Sequence, residues 1–251
     1  MVAKAHDAGY DPILVVGEAQ AIRPWASVSK LTVGIAAMRA VTSGDAFLDD
    51  LVGPPGATLA HLLSHASGLG FEASDPTVPV GTRRVYSNAG IDIASTYLSG
   101  GNHESWINDT VLAPLGVGAR LRGRASADVS GTLEDMALVA SELLVPRLLS
   151  HEANETMRTP FLPDLDGITP PFGRQRPNWW GLTPELKGTK QHWMGTWPSS
   201  SFGHFGRSGS LLLCDPTTNV FVVATSTEDF GPWAVALWPT WVDAMRAEAL
   251  S

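Results

Sequence analysis

A serine and a lysine stand three residues apart in the stretch RPWASVSKLTVG, as Ser27 and Lys30. A serine hydroxyl at neutral pH is a weak nucleophile and needs a base within hydrogen-bonding reach. An amine three residues further along a helix lies on the same face, the geometry a serine–lysine couple requires. Of the four lysines in the chain, only Lys30 has a serine at that spacing. An acylated serine also needs donors for the oxyanion that develops in the transition state, and a second acid or base. Two other stretches contain groups of those types. In VYSNAG, Tyr86 and Asn88 form the only tyrosine followed two residues later by asparagine, and in SFGHFGRSGS the run His204, Phe205, Gly206 and Arg207 leads into a glycine-rich edge.

The surrounding pattern predicts the elements that would hold these groups. PILVVG is a short apolar run closed by glycine and predicts a buried strand. Val28, Leu31, Ile35, Met38 and Val41 recur at helical spacing until SGD, so Ser27 falls near a helix N-terminus. From about residue 44 to 165 the pattern is mostly helical, in TLAHLLSHASGLG, NAGIDIASTYLSG, SWINDTVLAPLG and TLEDMALVASELL. The last opens on Thr132 and Asp135, a capping-box pair. Residues 166 to 205 are rich in proline, glycine and tryptophan and predict loops. GSLLLCD, the turn PTTN and VFVVATS predict a hairpin, and GPWAVALWPTWVDAMRAEAL a closing helix interrupted at Pro239. The expected architecture is α/β in the α+β sense, an antiparallel sheet flanked by helices. Residues 1–43 and 166–251 build the sheet region, and residues 44–165 form an inserted helical lobe.

Composition narrows the functional classes. The 251 residues are 44% hydrophobic, enough for a sizeable core. A net charge of -8 leaves no basic footprint, and Arg120, Arg122 and Arg124 are too few to track a phosphate backbone, so no nucleic-acid partner is expected. The lone Cys214 lies in an apolar run and reads as a small buried hydrophobe. His61 and His65 in HLLSH lack the glutamate of a zinc-protease helix and read as a packing pair. There is no run of the ~20 apolar residues a membrane span needs and no apolar leader at the N-terminus, so the expected location is cytoplasmic.

SVSK, YSN and HFG, in that order, resemble the three signatures of the serine hydrolases that include class C β-lactamases, D-alanyl-D-alanine carboxypeptidases and β-lactamase-like esterases. HLLSHASGL, PVGTRRVYSNAG and APLGV resemble that family's framing segments, so the likeness runs from about residue 20 to residue 226. The resemblance implies a β-lactamase/transpeptidase-like fold without cofactor or metal, and a small ester, amide or lactam as substrate. It implies Ser27 as the acylated nucleophile and Lys30 as a buried cation that favours the phenolate of Tyr86. Asn88 would position the Lys30 amine and the substrate, and the backbone N–H groups of Ser27 and Arg207 would form the oxyanion hole. The third signature departs from the family: Phe205 replaces a hydroxyl that helps bind a substrate carboxylate, and His204 replaces lysine. Arg207-Ser208-Gly209 is an alternative register for that triplet. Phe205, Trp25, Trp180 and Trp193 are candidates for an apolar substrate site. The first expectation is a carboxylic ester hydrolase. The alternatives are a D-alanyl-D-alanine carboxypeptidase, penicillin-binding or weak β-lactamase activity, and a non-catalytic binding homologue.

Overall fold

The apolar runs near the C-terminus alternate between two cores. In the computed structural model, which describes residues 1–73 and 75–251, Leu212, Cys214, Phe221 and Val223 join one hydrophobic cluster, and Leu211, Leu213, Val220 and Val222 the other. A strand places successive side chains on opposite faces, so a sheet covered on both sides needs apolar residues at every position. Cys214 is buried on the first of these faces, where burial pushes its thiol pKa up.

The first half of the chain holds β1 (Val2–His6), β2 (Gly9–Leu14), β3 (Arg23–Pro24), α1 (Lys30–Ser43), α2 (Leu59–Leu63), α3 (Asn88–Ser99) and α4 (His103–Ile107). Then come β4 (Arg120–Leu121), β5 (Val129–Gly131), α5 (Leu133–Leu144) and α6 (His151–Met157). The last part contributes β6 (Gly167–Ile168), β7 (Arg174–Gln175), β8 (Glu185–Leu186), β9 (Phe202–Gly206), β10 (Ser210–Asp215), β11 (Val220–Ala224) and α7 (Pro232–Leu250). Six strands form one antiparallel sheet in the order β2-β1-β11-β10-β9-β8, so both chain ends meet in it. Helix α5 covers one face, where Ser141 Oγ donates to the Gly9 carbonyl at 2.5 Å, and α7 covers the other through Ala234, Trp238 and Val242. Helix α1 packs among α3, α4 and α6.

Several elements follow their local signals. Helix α5 starts at the expected capping box, with Asp135 N donating to Thr132 Oγ1 at 3.0 Å and Thr132 N to Asp135 Oδ2 at 2.9 Å. Strands β10 and β11 form the expected hairpin, with Asn219 at φ 57° in the turn. Two expectations are corrected. PILVVG is no buried strand: β2 is the edge of the sheet, and Ile13 and Val16 are 41% and 72% exposed. An edge strand has one neighbour, which also lets Pro12 sit in it without forfeiting a ladder bond. Helix α7 runs unbroken through Pro239, and the side bearing Ala234, Trp238 and Val242 holds it to the sheet.

Candidate active site

Ser27 lies in a single 3₁₀ turn, Ala26–Ser29, that runs directly into α1 at Lys30. At three residues per turn, positions i and i+3 eclipse one another. Lys30 Nζ is accordingly 3.1 Å from Ser27 Oγ, and it donates a second bond of 2.8 Å to the Ser126 carbonyl. Ala26, just before the serine, holds φ at 44°, in the left-handed region where a non-glycine residue costs about 1–2 kcal/mol. The turn is held by bonds from outside. Trp25 N donates to Val129 O at 2.8 Å, while the Ser208 and Ser210 hydroxyls donate to the Pro24 and Trp25 carbonyls, each at 2.7 Å.

Lys30 is fully buried, and burial lowers its pKa to about 7, with Asp92 and Glu72 pulling it up and Arg124 pushing it down. Those three groups form a surface network: Arg124 bonds Glu72 at 2.6 Å and Asp92 at 2.7 Å, and Asp92 also accepts from Ser126 N at 2.9 Å. The tyrosine goes the opposite way. Burial pushes the Tyr86 phenol well above its usual range, and its hydrogen bond with Ser27 only partly offsets that. Burial therefore opposes the expected cation and phenolate: Lys30 is the group that loses its proton near neutral pH, and Tyr86 is a neutral phenol.

Tyr86 sits in the extended residues before α3. Val85 N donates to His65 O at 3.0 Å and Ser87 N to His65 Nδ1 at 3.2 Å. Ser87 caps α3 by accepting from Gly90 N at 2.9 Å. The Lys30 amine stands 5.0 Å from the Tyr86 ring centroid. On the far side, Tyr86 Oη is 3.4 Å from His204 Nε2, and His204 Nδ1 donates to the Phe205 carbonyl at 2.7 Å. That second bond places the imidazole proton on Nδ1 and leaves Nε2 to accept from the phenol. Burial, followed by the field of Lys30, holds the His204 pKa down at about 3, so the position that carries lysine in the resembled family carries no charge here.

His204, Phe205 and Gly206 lie on β9, and Arg207-Ser208-Gly209 form the turn that follows, so HFG is the register on the strand. Strand β8 pairs only with Phe202 and Gly203, which leaves the rest of that edge of β9 beside Ser27 without a partner strand. Gly206 is required by close approach. A Cβ there would stand 2.4 Å from Ser210 Oγ, 2.5 Å from the Trp25 carbonyl and 3.0 Å from Ala26 Cβ. The next amide, that of Arg207, therefore adjoins the turn that carries Ser27. Gly206→Ala is expected to push strand and turn apart and lower kcat/KM about 100-fold, since a displacement of 1 Å costs that much. Ester kinetics beside a thermal melt check this, and wild-type kinetics would show that strand and turn are uncoupled.

The remaining candidates separate. Asn88 makes no hydrogen bond to Lys30: its Nδ2 donates to Glu72 Oε1 at 2.8 Å, and its Oδ1 is buried with no hydrogen-bond partner among the described residues. Trp25 and Trp193 are fully buried in the two cores and do not line the cleft. Trp180 and Phe205 do line it, with Ser27, Tyr86 and His204, in an open cavity of about 1150 Å³. His61 caps α2 through Thr58, and His65 packs beneath Tyr86 and Trp180 at centroid distances of 4.5 and 4.6 Å.

A buried cluster that no sequence spacing announces also reaches the cleft. Glu185 Oε1 receives Lys190 at 2.9 Å and His192 at 3.1 Å, and Oε2 receives Trp193 Nε1 at 2.8 Å. The ion pair holds the Glu185 carboxyl well below its usual range despite burial. Arg84, also on the cleft, is held by the carbonyls of Ser64, Phe161, Leu162 and Asn178. The Glu185 charge is thus paired and four of the five Arg84 N–H groups are bonded before any ligand arrives, and the exposed Arg207 and half-buried Arg83 keep contact with water. Among the described residues no group of three or more histidine, cysteine, aspartate or glutamate side chains could hold a metal ion, and no helix is long and apolar enough to cross a membrane.

Residues 18–244 match the family model described as Beta-lactamase. Among solved structures, the chain is similar to a beta-lactamase from Mycobacterium bovis, at 37% identity and a TM-score of 0.93 over 98% of this chain and 93% of the other. It is similar in fold to a penicillin binding protein from Bacillus halodurans, with 17% identity, a TM-score of 0.72 and coverage of 92% and 88%. EstA from Arthrobacter nitroguajacolicus Rue61a shares the fold at 17% identity and a TM-score of 0.73, covering 99% of this chain and 92% of that one. No curated protein matches the chain.

Proposed function

We propose that this chain, which belongs to the beta-lactamase family, hydrolyses uncharged carboxylic esters through an acyl-enzyme on Ser27. One observation carries the reading. A half-buried serine hydroxyl lies 3.1 Å from a lysine amine whose pKa burial has brought to about 7, on a cleft where Lys190 already pairs the buried Glu185 and backbone carbonyls occupy Arg84.

In the neutral state the Lys30 lone pair accepts the Ser27 proton as Oγ attacks the ester carbonyl. A bond forms between Oγ and the acyl carbon while the carbonyl π electrons move onto oxygen. In this reading the Ser27 and Arg207 amides receive that oxyanion, each worth roughly 3 kcal/mol in comparable sites. Collapse restores the carbonyl and breaks the bond to the alcohol oxygen, which takes a proton from the Lys30 ammonium. Tyr86 keeps its own proton, which it donates to His204 Nε2. Water then repeats the sequence on the acyl-enzyme, giving its proton to Lys30 and releasing the acid and Ser27.

A β-lactam reading is favoured by the 37% identical Mycobacterium bovis protein, whose name is that of a beta-lactamase. Against it stand the missing hydroxyl at Phe205 and the uncharged His204, which leave a substrate carboxylate without its usual partners. A panel of p-nitrophenyl butyrate, nitrocefin and a D-alanyl-D-alanine peptide separates the readings. The expected kcat/KM for the ester exceeds that for nitrocefin by at least about 100-fold, the cost of leaving one charged group unpaired. A preference for nitrocefin or the peptide would overturn the ester assignment.

A further inference from the structure

We infer that the ester substrate carries a long apolar acyl chain, eight carbons or more, laid between the first turns of α7 and the connection from β6 to β7. This deepens the hydrolase reading above and rests on it.

Ser27 opens onto a cleft of about 1150 Å³, larger than the 300–1,000 Å³ that ordinarily encloses a drug-sized ligand. An acetyl or butyryl group would leave most of it filled with water. Its walls include Phe230, Val235 and Ala236, in and just before the first turns of α7, and Ile168, Pro170 and Pro171, from β6 into its connection to β7. These side chains are apolar, and several stand open to solvent. Ile168 is 50% exposed, and Phe71, which also lines the cleft, is 55% exposed. Apolar surface left in water beside a nucleophile is what a ligand chain would cover. The covalently held half of the substrate is the half that must stay in the cleft through deacylation, while the alcohol must leave. Burial is therefore useful on the acyl side, and the polar products can exit past Arg83 and Arg207.

Covering one methylene gains up to about fourfold in binding. Across p-nitrophenyl acetate, butyrate, octanoate and decanoate, kcat/KM is expected to rise at least about 30-fold from acetate to octanoate. Ile168→Asp places a charge in one wall and Val235→Trp fills space at the other. Each is expected to cut the octanoate-to-acetate ratio at least tenfold. Leu51→Asp, at a site 78% exposed and away from the cleft, leaves that ratio unchanged. A flat or falling chain-length profile, or a ratio untouched by both wall variants, overturns the inference while acetate turnover keeps the hydrolase reading. If no ester is turned over, the hydrolase reading fails, and calorimetric binding of p-nitrophenyl decanoate to Ser27→Ala then decides the cleft. Binding no tighter than that of the acetate ester overturns the inference, and much tighter binding supports it.

Discussion

Ser27→Ala is expected to abolish ester turnover, lowering kcat by at least about 10⁴-fold, and to remove the covalent adduct that a fluorophosphonate probe leaves on the wild-type protein. Losses of that size follow when the nucleophile of a cooperating set is deleted, because the base has nothing left to activate. SVSK holds two serines, and the structure separates them. Ser29 is fully buried, and its Oγ accepts from Val129 N at 3.1 Å, which ties the start of α1 to β5. Ser27 faces the cleft, next to the Lys30 amine. Intact-mass spectrometry after labelling reads the outcome directly. An adduct of undiminished yield on Ser27→Ala would place the nucleophile elsewhere and end the assignment. The folded state should tolerate the change, since Ser27 Oγ is one of two partners of Lys30 and the Ser126 carbonyl remains.

Lys30→Met is expected to lower kcat/KM about 10³-fold and to raise the melting temperature by several degrees. The two effects have one cause. A fully buried ammonium with two recorded hydrogen-bond partners is costly, and a methionine of similar length fills the space without that cost. The sign of the pH dependence follows from the shift. The unfolded lysine titrates near 10.4 and the folded one at about 7, so between those values the unfolded chain holds the extra proton. Wild-type stability therefore rises with pH across that window, and the penalty is full below about pH 7. The melting-temperature gain of Lys30→Met should thus be larger at pH 6 than at pH 9.5. Wild-type kcat/KM should rise with a midpoint near pH 7, as the amine becomes able to accept the serine proton. A base-limb midpoint near 10 instead would show that burial does not lower the Lys30 pKa, and an unchanged melting temperature at both pH values would show that the buried charge is compensated.

How legible each part was depends on how far its cause lies along the chain. The serine and lysine were readable because three residues of helical backbone fix their separation. The capping box at Thr132 was readable for the same reason, and so was the β10–β11 hairpin, where apolar runs flank a turn. The tryptophans were not. Trp25, Trp180 and Trp193 are the same residue type near the same motifs, yet two fill cores and one lines the cleft. The Glu185 cluster left no spacing to recognise, because a loop and not a helix or strand brings Lys190 and His192 to the carboxylate.

By itself the sequence determined which groups could react and where along the chain each would lie: a hydroxyl and an amine on one helical turn, a phenol before a second helix, an imidazole in a run leading into a glycine-rich edge. Only the tertiary structure decided their protonation and their surroundings. A pKa depends on how much water reaches a group and which charges face it, and for Lys30 those are set by burial and by residues 72, 92 and 124. Periodicity states that a face is apolar, and only the packed chain states whether a core or a substrate will cover it.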